Sequence, residues 1–72
     1  MTNSTIKIIQ RNIKKYWLEK ELTQEQLSEL CDISQDYLSE IERGKKTQSL
    51  KKFLIIAQKL EIPPQKFFDE NN

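Results

Sequence analysis

The chain has 72 residues, 36% hydrophobic and 32% charged, with a formal net charge of +1. That composition predicts one small globular domain spanning residues 1–72 with a thin core, and it excludes a disordered chain. A single cysteine, Cys31, and no histidine rule out an internal disulfide and leave no basis for a Cys/His metal site or histidine acid–base chemistry. No apolar run is long enough to span a membrane, and the polar start at Met1–Ser4 does not read as a secretory signal. The expectation is therefore a cytoplasmic, non-enzymatic protein with no cofactor, no metal, no membrane association and no small-molecule ligand.

In chain order, Ile6, Ile9, Ile13, Tyr16 and Trp17 recur at three- and four-residue steps, which predicts a helix over about 5–20. Ser4 or Thr5 is the expected cap, because a hydroxyl accepts from an amide left over in the first turn. Thr23 with Gln26 three residues on spells a capping box, and Glu25 places an acid in the first turn. The second helix has Leu27, Leu30 and Cys31 as its inward face. Asp32-Ile33-Ser34 is a tight turn, and Ser34 caps a third helix with Leu38 and Ile41 inside. Gly44 ends that helix. Ser49 caps a fourth helix, in which Leu50, Phe53, Leu54, Ala57 and Leu60 repeat at helical period. Pro63-Pro64 stops it, and Pro64 suits the first turn of a short fifth helix holding Phe67 and Phe68.

Charge is divided unevenly along the chain. Residues 1–20 carry five bases against Glu19 alone (+4), residues 21–42 carry seven acids and no base (−7), and residues 43–59 carry six bases and no acid (+6). An acidic middle thus lies between two basic flanks.

Two short helices joined by a three-residue turn form a helix-turn-helix over about 23–43, whose second helix can enter a DNA major groove. The most specific pieces are Leu22-Thr23-Gln24-Glu25-Gln26-Leu27, Ser34 with Tyr37-Leu38-Ser39, Ile41-Glu42-Arg43-Gly44, and later Ile56-Ala57 with Leu60 and Phe68. These pieces, in this order and at these separations, resemble the Xre-type, lambda-repressor-like helix-turn-helix family from about Ile9 to Phe68. The resemblance implies an all-α, compact five-helix DNA-binding domain and a sequence-specific transcriptional regulator, a repressor or small controller protein, with the third helix as recognition helix. The alternative is a protein-interaction module of antirepressor or antitoxin type that keeps the fold with weak or no DNA binding; the −7 stretch motivates it.

Carried onto this sequence, the family's base-contacting positions fall on Gln35, Asp36, Ser39 and Glu40. Its backbone-contacting positions fall on Gln24, Arg43, Lys45 and Lys46, with Ser34 and Tyr37 beside them. For Gln24 the physics agrees, since a helix N-terminus offers free amides to a phosphate. Gln35 is suited to bidentate contact with adenine, and Asp36 and Glu40 either accept from cytosine or remain solvated charges. Tyr37 either serves the sugar-phosphate or is partly packed. The chain departs from the family at several points: Asp32 stands where Gly is usual, Ser28 where Ala is, Gln48 where Pro is, and Trp17 where an Arg commonly pairs with the position of Glu42.

The partner implied is double-stranded DNA carrying a palindromic operator, bound by a homodimer, because one recognition helix reads few base pairs. The dimer surface is expected at the end of the fourth and fifth helices, with Ile55, Ile62, Phe67 and Phe68 as candidates and Leu50 and Leu54 assigned to the core. Cys31 reads as a small buried hydrophobe.

Overall fold

The computed structural model describes residues 3–70. Four α-helices follow one another: α1 (Asn3–Glu19), α2 (Gln24–Cys31), α3 (Gln35–Glu42) and α4 (Leu50–Leu60). A 3₁₀ helix, Pro64–Phe68, completes the order. The expected fifth α-helix is therefore corrected to a single 3₁₀ element. It opens on Pro64 directly after Pro63, neither of which has an amide donor, and its bonds are the i→i−3 kind, Lys66 N to Pro63 O at 3.0 Å and Asp69 N to Lys66 O at 3.4 Å. The first helix starts at Asn3, so Ser4 and Thr5 lie inside it rather than capping it.

The remaining starts follow the sequence. Thr23 Oγ1 accepts from Gln26 N at 3.0 Å while Thr23 N donates to Gln26 Oε1 at 2.8 Å, a complete capping box. Ser34 and Ser49 cap α3 and α4 by accepting from the amides of Tyr37 and Lys52. The helix ends share one device. After each helix a residue turns left-handed: Glu21, Asp32, Gly44 and Glu61 have φ of 60°, 56°, 76° and 60°. Paired amides then close back onto the last turn, as Gly44 N to Ile41 O at 3.0 Å and Lys45 N to Glu40 O at 2.8 Å do behind α3. Asp32 thus takes the conformation for which the resembling family uses glycine.

The core draws on every element. Ile9, Ile13, Tyr16 and Trp17 from α1 meet Leu27 and Cys31 of α2, Leu38 and Ile41 of α3, and Phe53, Ile56, Ala57 and Leu60 of α4. Phe67 fills the centre at 0% exposure, with edge-to-face rings Tyr16 at 4.9 Å and Phe53 at 5.3 Å. Phe67 accordingly leaves the expected dimer surface. Leu50 and Leu54, expected inside, are 72% and 44% exposed, because α4 turns Phe53, Ile56, Ala57 and Leu60 inward and the opposite side of the helix has nothing above it. Leu30 is also exposed for the same reason on α2. Among the described residues, no helix is long and apolar enough to cross a membrane.

Candidate nucleic-acid interface

The turn between α2 and α3 sets the geometry. Asp32 reverses the chain in the left-handed region, Ile33 tucks against the core, and Ser34 starts α3. Leu38 and Ile41 anchor α3 from below. Helical period then turns Gln35, Asp36, Ser39 and Glu40 to the outer side, with Gln35 and Asp36 exposed and Ser39 and Glu40 half-buried. The structure therefore brings all four expected base-contacting residues onto one outward surface.

A hydrogen-bonded chain runs from the core to that surface. Trp17 Nε1 donates to Glu42 Oε2 at 2.6 Å. Glu42 Oε1 accepts from Gln24 Nε2 at 2.9 Å, and Gln24 Oε1 accepts from Gln35 Nε2 at 3.2 Å. Trp17 thus takes the place of the usual basic partner of Glu42. The carboxylate accepts two N–H donors and holds the end of α3 against α1 and α2. Gln24, expected at a phosphate, has both ends of its amide in this chain; one Nε2 hydrogen is left to donate outward, since an amide nitrogen carries two.

The expected backbone set sits around α3. Arg43 and Lys45 are exposed. Lys46 Nζ lies 3.3 Å from Glu40 Oε1, so one expected phosphate contact and one expected base contact partly neutralise each other in the DNA-free state. The exposed pair is worth at most about 1 kcal/mol, little enough for either partner to be drawn away. The Ser34 hydroxyl is used as the α3 cap. Tyr37 is half-buried, and its hydroxyl oxygen accepts from Ser49 N at 3.3 Å, tying α3 to the start of α4. Its own O–H proton remains available to an outside acceptor.

Two residues that sequence reasoning passed over support this surface. Gln10 is buried on α1, and its Nε2 donates to Lys46 O at 2.8 Å, fixing the basic loop after α3. Asn12 is fully buried, and its Nδ2 donates to Phe67 O at 2.8 Å and Asp69 O at 3.0 Å, fastening the 3₁₀ segment. The signal for Asn12 was present in the sequence: it falls on the Ile9–Ile13–Tyr16 stripe, where a polar residue must find a buried partner. Cys31 is buried, and burial pushes its thiol above the ordinary value of 9.0 while Lys59 pulls the other way. Such a thiol behaves as a packing group, not a nucleophile. Among the described residues no cluster of metal-ligating side chains occurs.

Of the expected dimer candidates, Ile55 and Ile62 are half-buried against the core and Phe68 is 49% exposed, its ring 6.0 Å from Phe53. Leu50 and Leu54 on α4 are exposed apolar residues as well.

The Helix-turn-helix family profile HTH_3 matches residues 13–67. Control protein C.BamHI of Bacillus amyloliquefaciens is 31% identical over 70 residues, which is 96% of this chain and 86% of that protein. The crystal structure of the restriction-modification controller protein C.AhdI from Aeromonas hydrophila superposes with a TM-score of 0.80 at 31% identity, over 93% of this chain and 100% of that one. A hypothetical transcription factor from Neisseria, NHTF, superposes with a TM-score of 0.84 over 93% of this chain and 76% of its own; at 19% identity this likeness concerns the fold.

Proposed function

The chain belongs to the helix-turn-helix family, and we propose that within it the protein is a controller of restriction-modification type that reads a palindromic operator as a homodimer. It is a DNA-binding transcriptional regulator and not an enzyme. Its controller role is supported by the likeness to C.BamHI and C.AhdI.

The observation that carries the reading is the outward row Gln35, Asp36, Ser39 and Glu40 beside the basic loop of Arg43, Lys45 and Lys46. In this reading α3 enters the major groove. Gln35, aligned by Gln24, places its amide against adenine, while Asp36 and Glu40 accept from cytosine N4. Arg43, Lys45 and Lys46 grip phosphates, with Gln24, Ser34 and Tyr37 at the backbone nearby. Lys46 leaves Glu40 as α3 docks, which frees the carboxylate for a base edge. The −7 segment from 21 to 42 discourages non-specific adhesion, so affinity depends on the flanking cations.

Two copies associate through α4 and the 3₁₀ segment, where Leu50, Leu54 and Phe68 are exposed and Ile55 and Ile62 are half-buried. The half-sites then lie about 34 Å apart, one turn of DNA. Selection of bound duplexes from a random pool tests the reading. A single enriched inverted repeat is expected; recovery of unenriched sequence would overturn it.

A further inference from the structure

The basic stretch at the start of the chain is used by nothing described so far. On α1 the side chains of Lys7, Arg11, Lys14 and Lys15 line an open groove of about 560 Å³ together with Leu18, and Arg43 and Gly44 close it at the end of α3. Long basic side chains of this kind cover apolar surface with their stems and keep their charged heads in water. Glu42 is the one acid along it, and both its oxygens are held by Trp17 and Gln24. Arg11 donates to Glu70 O at 2.9 Å and Lys15 lies 3.9 Å from Glu19. For Lys7, Lys14 and Arg43 no ion pair occurs among the described residues.

We propose that this α1 face, centred on Lys7, Arg11 and Lys14 and continued by Arg43, is a second phosphate-binding surface that grips the DNA backbone flanking the stretch read by α3. The proposal rests on the placement of α3 in the major groove and extends it. Three observations favour DNA over an acidic protein as occupant. Arg43 belongs both to this groove and to the basic loop beside α3, so the two surfaces are continuous. Gln10, itself on the groove, ties α1 to the backbone of Lys46, so they move as one body. The spacing also fits. Lys7 and Lys14 stand about 10 Å apart along the helix axis, a distance over which one strand presents at least two phosphates, since charges recur every ~3.4 Å of DNA axis per strand.

The test uses the 72-residue chain and a duplex recovered by the selection above, extended by about one turn on each side. Wild type is compared with the double variant Lys7→Gln/Lys14→Gln, both positions being exposed. Affinity is measured from 50 mM to 200 mM salt, with thermal melting confirming that the variant is folded. Loss of two phosphate contacts from each of the two protomers lowers the salt slope by about 3.6 units, so wild type loses about 150-fold more affinity than the variant over that range. The selected base preference stays the same. Equal slopes would overturn the α1 surface. If wild type bound no duplex at all, the reading of α3 would fall, and this extension with it.

Discussion

Trp17 and Glu42, 25 residues apart, are joined by a 2.6 Å hydrogen bond from the indole nitrogen to the carboxylate. This bond fastens the last turn of α3 to α1. It also orients the Glu42 oxygen that holds Gln24, and through Gln24 the side chain of Gln35. Trp17→Phe keeps the buried ring but removes the donor. A hydrogen bond to a charged group contributes about 1.5–3 kcal/mol, so the variant is expected to lose that much stability in urea unfolding. Its preference for the selected duplex should weaken as well. Unchanged stability would show that Gln24 alone satisfies Glu42.

Gln35→Ala and Lys45→Ala separate base reading from backbone gripping. The first is expected to cost about 1–3 kcal/mol on the selected duplex and to relax one base position. The second should weaken binding to every sequence alike and reduce the salt slope by about one unit per protomer, about two for the dimer. Titrations on matched and scrambled duplexes distinguish them; identical behaviour of the two variants would remove the assigned roles.

Three acidic residues occupy the left-handed region, where an L side chain is disfavoured by about 1–2 kcal/mol. Glycine escapes that strain but loses about 0.5–1 kcal/mol through its freer unfolded chain. Glu21→Gly and Glu61→Gly should therefore each stabilise the domain by up to about 1 kcal/mol. In a domain this size that raises the melting temperature by about 4–8 °C. Gly44→Ala should destabilise by strain alone, because a Cβ there meets nothing within 4 Å.

The exposed apolar end predicts assembly. Light scattering during size exclusion should give a dimer mass at tens of micromolar, and Leu54→Glu or Phe68→Glu should give the monomer with helical content retained. A monomeric wild type at that concentration would remove the α4 surface from the proposal.

Burial raises the pKa of both Tyr16 and Cys31 above their ordinary values of 10.0 and 9.0, with Glu19 and Asp69 adding to the rise at Tyr16. A group whose folded value is raised contributes its full stability below the unfolded value. That contribution fades as pH climbs through the folded one. Stability is thus expected to hold to about pH 9 and fall beyond it. Tyr16→Phe should make the alkaline fall shallower, as chemical unfolding at pH 8 and pH 10.5 will register.

Sequence alone determined what is decided within one turn of chain. The Thr23–Gln26 box, the Ser34 and Ser49 caps, the turn at Asp32 and the stop at Gly44 all depend on atoms three or four residues apart. Hence the helix-turn-helix and the outward row on α3 were legible. Periodicity also marked Ile13, Leu38 and Phe53 as core, since a helix can bury only one stripe. The tertiary structure alone decided which distant groups meet. That Trp17 reaches Glu42, that Gln10 holds the Lys46 carbonyl, and that Asn12 holds the 3₁₀ segment over the centre all follow from how α1 crosses the other elements. The same crossing buries Phe67 and leaves Leu50 and Leu54 outside. Apolar character is a property of a residue, whereas burial depends on what another part of the chain lays over it.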